Sequence, residues 1–225
     1  MLFIHLYINL YERHFVKDYD FIPIDFESYL RAEHFRFFSA NPCGFSLSVE
    51  LEVQNLLNQK QKGYSFFNLI LYCISRSVNE IVEFRIDCKD GVLGYYEISH
   101  PSYTIFHKNS ETFSSLWSEY DEDFKKFNEN FLNDKAEFGE NLSYQAKIHQ
   151  LPNIFFVSSL PWIDFKDFNL QIDRSKFYAP IFTLSKIKDS KILLNINVNH
   201  AICDGYHVSK FIETLQEGIN ALEVA

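Results

Sequence analysis

Basic residues are scarce in this sequence. Lys and Arg number 21 against 30 Asp and Glu, so the net charge is −9. A nucleic-acid partner needs a basic face, so this charge argues against nucleic acid. The cysteines (Cys43, Cys73, Cys88 and Cys203) form no Cys-x-x-Cys pair. This argues against a zinc site and favours reduced thiols in a cytoplasmic protein. The chain also lacks a Gly-rich phosphate loop, a Gly-x-Ser-x-Gly elbow and an internal repeat.

Long hydrophobic runs are also missing. Met1–Leu10 is apolar but too short to span a bilayer, so we expect no membrane association. Its alternating pattern predicts a strand. The 225 residues are 47% hydrophobic and 23% charged, which is a globular composition that predicts one domain over residues 1–225. Aromatic residues are plentiful, with 24 Phe and 13 Tyr, and leave material for an aromatic-walled pocket beyond the core.

Periodicity predicts an alternation of strands and helices. A strong apolar stripe at helical spacing predicts a core helix over residues 65–82, and a weaker one predicts an amphipathic helix over 119–135 with the acidic residues 119–123 in its first turn. Strands are predicted at 45–53, 84–88, 92–98 and 103–107, and a short helix at 28–38. A further buried strand is predicted within 153–162, where Pro161 stops it. Residues 11–30 are interpreted as irregular, 56–62 as a connection, and 136–150 as a loop.

The segment from Lys191 to Val208 is the most informative part of the chain. Residues of a strand alternate between its faces, so His200 ends an apolar row that includes Ile196 and Val198. Three asparagines (Asn195, Asn197 and Asn199) occupy the other face. Asp204 and Gly205 then mark a tight turn before a helix. An imidazole suits general-base chemistry because its usual pKa is about 6.5.

Each of these residues also has a purely structural interpretation. His200 can be a core histidine with backbone partners, and Asp204 can be a helix N-cap. The pattern His-x-x-x-Asp-Gly, however, resembles the signature of CoA-dependent acyltransferases. That group includes chloramphenicol acetyltransferases, dihydrolipoamide acyltransferases and condensation domains, which the short pattern alone does not separate.

Four blocks that follow one another along the chain identify one family more specifically than the short pattern does. They are residues 31–38, residues 42–47, residues 158–162 with 165–170, and residues 200–208, and over about residues 25–222 they resemble the type A chloramphenicol acetyltransferase family. The resemblance implies an α/β fold, a two-layer sandwich in which a mixed β-sheet is covered by helices. It also implies a homotrimer with active sites at the subunit interfaces. Residues 1–24 extend past the usual start of the family, in a role that the sequence does not define.

The resemblance implies a role for each catalytic position. His200 would take the proton of a substrate hydroxyl, and Ser158 would donate a hydrogen bond to the oxyanion. Asp204 would form a buried salt bridge with Arg31 that holds the turn. Without the resemblance, Ser158 is an ordinary buried hydroxyl and Arg31 a solvated charge. We expect Cys203 to fill space behind the turn and not to act as a nucleophile.

The same resemblance implies the binding residues. The substrate pocket maps onto Phe37, Phe38, Cys43, Phe113, Phe168, Leu170, Ile181 and Thr183, each of which taken alone would be interpreted as core packing. Lys186 is a candidate contact for a CoA phosphate. Phe38 stands where the family often has Tyr, and Asn199 replaces a histidine. We expect Asn199 to have little effect on the chemistry. Ser65 and Phe67 replace a Lys and a Tyr that contact CoA in some relatives.

We therefore expect an enzyme that acetylates chloramphenicol, with acetyl-CoA as co-substrate and no permanently bound cofactor. Two alternatives remain open from the sequence. The same chemistry can act on another hydroxylated small molecule, or the chain can be a non-catalytic relative that binds acyl-CoA or a hydrophobic ligand.

Overall fold

The computed structural model describes residues 20–148 and 150–224. The strands are β1 (Phe21–Pro23), β2 (Gly44–Glu52), β3 (Ile86–Lys89), β4 (Val92–Tyr96), β5 (His100–His107), β6 (Thr112–Trp117), β7 (Ile154–Ser159), β8 (Ile181–Leu184) and β9 (Lys191–Asn199). The helices are α1 (Ala32–Ala40), α2 (Gln54–Lys60), α3 (Phe66–Glu80), α4 (Phe124–Phe138) and α5 (Gly205–Ala221). The strand predicted within Met1–Leu10 lies outside the described residues.

Two sheets are built from these strands. The larger has the order β2-β9-β8-β7-β5-β6. Strand β7 is parallel to β5 and β8, while the remaining pairs are antiparallel. The smaller sheet has the order β1-β4-β3 and is antiparallel. This mixed sheet with helices confirms the predicted fold class.

Helices cover one face of the larger sheet. Phe182 of β8 is the register partner of Ile196 and stacks on Phe211 of α5, with ring centroids 5.0 Å apart. Phe84 stacks on the same Phe211 ring at 4.7 Å. Removing one such ring from water contributes about 1.5–3 kcal/mol, so this stack fixes α5 against the sheet. The stripe of α3 is buried in the same core, as its periodicity predicted.

The opposite face carries the three asparagines of β9 and an irregular segment, residues 164–177, that we call the strap. The side-chain amide of Asn195 donates to the carbonyl of Phe168 at 2.6 Å, and that of Asn197 to the carbonyl of Leu170 at 3.1 Å. Both asparagines are buried. The polar face of β9 is therefore covered by the strap, and its amides satisfy strap carbonyls that no strand pairs.

Tertiary contacts explain where the elements differ from prediction. Residues predicted as a connection form α2, because Leu56 is buried and Asn55 donates to the carbonyl of Leu222 after α5. The acidic residues 119–123 precede α4 instead of forming its first turn. Asp123 is its N-cap and accepts a hydrogen bond from the backbone N–H of Lys125.

The sequence analysis also failed to predict strands β1 and β6. Strand β1 lies in a stretch interpreted as irregular, and it forms because Phe21 pairs with Tyr96 and their rings meet edge to face at 5.1 Å. Strand β6 was not predicted, and its pairing with β5 completes the edge of the larger sheet.

Among the described residues, every helix is too short or too polar to cross a membrane.

Candidate active site

The His200 turn, residues 200–204, links β9 to α5. Its start is tied to β2, because the N–H of His200 donates to the carbonyl of Cys43 at 3.0 Å. Its end is the N-cap of α5, where Asp204 accepts a hydrogen bond from the N–H of Tyr206 at 3.0 Å. Gly205 follows with open space where a Cβ atom would lie. The Asp204 cap therefore ends the turn where the sequence predicted it, but Gly205 is the first residue of α5 without a positive φ, so the turn does not depend on glycine there.

The ring of His200 is held in one orientation and one tautomer. Its Nδ1 lies 3.1 Å from the carbonyl oxygen of Cys203. A carbonyl only accepts hydrogen bonds, so Nδ1 must carry the proton when the ring is neutral, and Nε2 keeps its lone pair. Phe38 stacks on the ring at 4.1 Å between centroids, and Phe45 meets it edge-on at 5.2 Å. Nε2 is thus the nitrogen available as a base.

Arg31 supports the turn from the residue before α1. Its guanidinium forms an ion pair with Asp204 and donates to the carbonyl of His200 at 3.4 Å. The Arg31 side chain is 12% exposed and that of Asp204 is 33% exposed, so the pair is half-buried. The ion pair is therefore less buried than the sequence analysis expected, because the carboxylate of Asp204 is partly exposed beside the first turn of α5.

His207 adds a second support to Asp204. Its Nδ1 accepts the backbone N–H of Asp204 at 3.1 Å, and its Nε2 lies 3.4 Å from a carboxylate oxygen of Glu83. Burial by itself raises the pKa of Asp204. The charge that His207 carries when its ring is protonated and the charge of Arg31, together with bonds from the Tyr206 N–H and Arg31, outweigh burial and lower the pKa of Asp204 below its usual value.

Cys203 is enclosed beneath the turn. Its side chain is buried, and burial raises the pKa of its thiol, helped by the nearby charge of Asp204. A thiol in such a site is a weak nucleophile. This agrees with the expectation that Cys203 fills space.

Ser158 and most of the predicted pocket lie on the face of the larger sheet that the strap covers, opposite to the helices. A cavity of about 420 Å³ is lined by six of the predicted residues: Phe113, Ser158, Phe168, Leu170, Ile181 and Thr183. Ser158 and Thr183 are register partners on β7 and β8, so both reach the cavity from the sheet floor. The lining is mainly apolar and aromatic, with a few hydroxyls.

The other predicted pocket residues, Phe37, Phe38 and Cys43, lie on the side of His200 instead. Phe37 is exposed and meets Phe38 edge-on at 5.1 Å, and Cys43 is an exposed free thiol directly before β2. Lys186 lies at a third place. It lines a cavity of about 610 Å³ with Lys60, Ser159 and Trp162.

Within one chain, His200 and Ser158 are far apart. Ser158 is the register partner of Thr183, which pairs with Asn195. His200 lies five residues beyond Asn195, and β7 is two strands away from β9. At about 3.3 Å per residue and about 4.8 Å per strand, the two Cα atoms are on the order of 15–20 Å apart. A single chain therefore does not bring these two side chains to one reacting atom.

The sequence reasoning missed two polar supports of the site. Asn199 was expected to matter little, yet it is buried and bonds to both the His200 turn and the strap. Arg174 was not singled out. Its buried guanidinium contacts Asn197 and donates to the carbonyl of Ala179 at 3.0 Å, and burial lowers its pKa to about 10. The alternation of asparagines in β9 was the available signal for Asn199, and no local pattern marks Arg174.

Within the described parts of the chain, no cluster of three or more His, Cys, Asp or Glu side chains could hold a metal ion.

Comparison with known proteins gives a consistent result. The sequence model of the family described as chloramphenicol acetyltransferase matches residues 19–216. A chloramphenicol acetyltransferase of Clostridium perfringens is 42% identical over 203 residues, covering 86% of this chain and 92% of that protein. One of Proteus mirabilis is 41% identical, covering 87% and 93%. A solved chloramphenicol acetyltransferase structure has a TM-score of 0.76 at 24% identity, covering 89% and 100%, and it shares the fold.

Proposed function

The chain belongs to the chloramphenicol acetyltransferase family, and from this premise we propose that it transfers the acetyl group of acetyl-CoA to a hydroxyl of chloramphenicol. The observation that carries the proposal is His200, with Nδ1 bonded to the Cys203 carbonyl and Nε2 free to accept a proton. Such transfer confers resistance, because it removes the hydroxyl of the drug. The alternative of a non-catalytic binding relative gives no chemical reason for this tautomer.

The proposed reaction has two steps. Nε2 of His200 takes the proton from the substrate hydroxyl while the oxygen attacks the thioester carbonyl carbon. The resulting oxyanion accepts a hydrogen bond from the hydroxyl of Ser158, a contact that is worth about 2.7–4 kcal/mol in comparable sites. The carbon–sulfur bond then breaks, and the CoA thiolate takes the proton back from His200. No acetyl-enzyme is formed, which agrees with the buried thiol of Cys203.

We propose that each active site is shared by two chains of a homotrimer. The large separation of Ser158 from His200 within one chain supports this arrangement. The cavity at Ser158 would hold the aromatic ring of chloramphenicol, with Phe168 and Leu170 of the strap as its outer wall. His200, Phe38 and Cys43 of the neighbouring chain would then complete the site.

Acetyl-CoA is proposed to enter along the cavity that contains Lys186. Two lysines, Lys60 and Lys186, line this cavity with Trp162, whose ring meets Phe106 at 4.8 Å. The lysines provide positive charge for CoA phosphates, and the exposed rings provide an apolar surface for the rest of the cofactor. We place the enzyme in the cytoplasm, which its four free cysteines support.

Release of free thiol from acetyl-CoA tests this function. The purified protein should release CoA rapidly only when chloramphenicol is added, and mass spectrometry should find the acetylated drug. His200→Ala should abolish release while retaining CoA binding. Release with other alcohols but not with chloramphenicol would move the assignment to another acceptor. Full release by His200→Ala would refute His200 as the base.

A further inference from the structure

We propose that Asn199 is a positioning residue for catalysis, because its side-chain oxygen holds the His200 turn in the shape that leaves Nε2 of His200 as the base. The inference rests on the proposed acetyl transfer with His200 as base. It assigns to Asn199 a function that its place beside His200 in the sequence did not predict.

The side chain of Asn199 is only 1% exposed, and both polar atoms of its amide have partners. Its Oδ1 accepts the backbone N–H of Ala201 at 2.9 Å. Its Nδ2 donates to the carbonyls of Arg174 at 2.9 Å and Phe177 at 3.1 Å. The partners fix the amide orientation, because an N–H only donates and a carbonyl only accepts. Asn199 therefore has one side-chain bond into the turn and two into the strap.

The bond to Ala201 acts on His200 through the backbone. The carbonyl of Asn199 also accepts the N–H groups of Ile202 at 3.4 Å and Cys203 at 3.1 Å, so the turn is attached to Asn199 at three points. The carbonyl of Cys203 follows directly after the last of these points, so its distance from Nδ1 of His200 depends on how the turn is held. Without the bond from the Ala201 N–H to Asn199 Oδ1, the turn loses one of these attachments. The Cys203 carbonyl then no longer selects one tautomer of the His200 ring.

The two halves of the Asn199 amide can be tested separately. Asn199→Asp keeps an oxygen that accepts the Ala201 N–H, but it loses both donated bonds to the strap. The guanidinium of Arg174 reaches the neighbouring Asn197, so a cation lies near the new carboxylate. Asn199→Ala removes both halves. If the oxygen positions His200, these two variants should differ in turnover.

Asn195 offers a matched control on the same strand and the same face. It is also 1% exposed, and it donates to Ser48 at 3.0 Å and to the carbonyl of Phe168 at 2.6 Å. In the described part of the chain its amide makes no bond to the His200 turn. Asn195→Ala therefore loses a comparable buried amide and a comparable strap anchor, but it leaves the turn attached.

The experiment compares Asn199→Ala, Asn199→Asp and Asn195→Ala by steady-state kinetics and thermal unfolding. Misplacing a catalytic group by about 1 Å can lower a rate by roughly a hundredfold, so we expect kcat of Asn199→Ala to fall by roughly ten- to a hundredfold. Its KM for the acceptor should rise as well, because this variant also loses both bonds to the strap. Asn199→Asp and Asn195→Ala should keep kcat within about threefold and raise KM for the acceptor, because the strap lines its cavity. If Asn199→Ala does not fold, Asn199→Leu, whose side chain has the same branched shape, replaces it.

A spectroscopic measurement separates positioning from general destabilisation. Imidazole nitrogen NMR, with the His200 signals assigned by their loss in His200→Ala, should report the Nδ1–H tautomer in the unaltered protein and in Asn199→Asp. It should report a mixture of tautomers in Asn199→Ala. An unchanged kcat in Asn199→Ala, or an equal kcat loss in Asn199→Ala and Asn195→Ala, would overturn the inference. So would an unchanged tautomer.

The tautomer is measured without substrate, so it decides the role of Asn199 independently of the reaction. If the unaltered protein acetylates no drug, the proposed function fails. If the His200 tautomer still depends on Asn199 in that case, Asn199 positions the His200 ring whatever the reaction is.

Discussion

Asp204 combines two stabilising contacts on one carboxylate. It caps α5 through the Tyr206 N–H and pairs with Arg31, which in turn donates to the His200 carbonyl. The ion pair needs the ionised form of Asp204, and ionisation also strengthens the cap. The pKa of Asp204 is lowered in the folded state despite the opposing effect of burial. The charge of one side chain is thus linked to the stability of the turn that carries the proposed base.

The first prediction concerns this linkage. Because the folded pKa is lower than the unfolded value of about 3.9, the contribution is complete above about pH 5 and is lost as pH falls through the folded pKa. Asp204→Asn should cost roughly 1–3 kcal/mol at pH 7, between exposed and buried ion pairs, and lower kcat through a displaced His200. Denaturant unfolding from pH 7 to pH 3 should show a smaller acid-dependent loss in the variant.

Asp123→Asn is the matched control for Asp204→Asn. Asp123 caps α4 in the same way but has no arginine ion pair within the described residues. Asparagine is also a good N-cap, so this substitution should change stability by only a few tenths of a kcal/mol. A crystal structure of Asp204→Asn with His200 unmoved would contradict the account.

Lys186 is the subject of a second prediction at the residue scale. Lys186→Ala should weaken CoA binding by roughly three- to tenfold and lower its salt dependence, because one exposed phosphate contact is lost. Lys60→Ala should act similarly, since it lines the same cavity. Isothermal titration with CoA and with pantetheine, which has no phosphate, measures the difference. Lys125→Ala, which removes the same charge on α4, is the control. Equal loss for pantetheine would contradict a phosphate contact.

Strand β2 is the element that joins the His200 turn to the rest of the sheet. It pairs with β9 from Gly44–Asn199 to Glu52–Lys191, and Cys43 accepts the N–H of His200. At Gly44 a Cβ atom would lie 2.6 Å from the carbonyl oxygen of Val198 and 3.1 Å from Nε of Arg174. The strand therefore needs glycine where it meets both β9 and the strap.

This close approach gives a prediction at the element scale. Gly44→Ala should destabilise the protein by about 1–3 kcal/mol, because a backbone atom must move to relieve the clash. Gly218 lies in α5, and a Cβ atom added there would meet no other atom within 4 Å, so Gly218→Ala should stabilise by about 0.5–1 kcal/mol. Chemical denaturation of both variants tests the pair. An unaffected Gly44→Ala would show that β2 and β9 can separate without cost.

The whole molecule is where the proposed chemistry is completed. His200 and Ser158 are too far apart in one chain to reach a common reacting atom, so a reaction that uses both requires a second copy. In the proposed cyclic trimer, three equivalent contacts would each combine His200 from one chain with Ser158 from the next.

Subunit mixing tests this arrangement. His200→Ala and Ser158→Ala should each be nearly inactive alone. Refolded together in equal amounts, they should recover about a quarter of the unaltered activity, because one interface in four receives both intact residues. Mixing His200→Ala with a double variant that carries His200→Ala and Ser158→Ala is the control and should recover none. No recovery in the first mixture, in a confirmed trimer, would contradict a shared site.

Local sequence predicted the elements whose signals are local. The apolar stripe of α3, the alternation of β2 and β9, and the Asp-Gly turn before α5 all appear near their predicted positions. Helix α2 and strand β1 were missed, because their own residues are too polar or too few. Asn55 and Phe21 acquire their structural roles only from partners elsewhere in the chain.

The sequence by itself determined the family and the fold class, and it suggested the residues proposed for the chemistry, because short motifs and periodicity are properties of neighbouring residues. Tertiary structure alone decided how those residues are arranged. It fixed the tautomer of His200 through the Cys203 carbonyl, buried Asn199 between the turn and the strap, and separated Ser158 from His200. Strand order and register set these distances, and they depend on contacts between segments far apart in the chain.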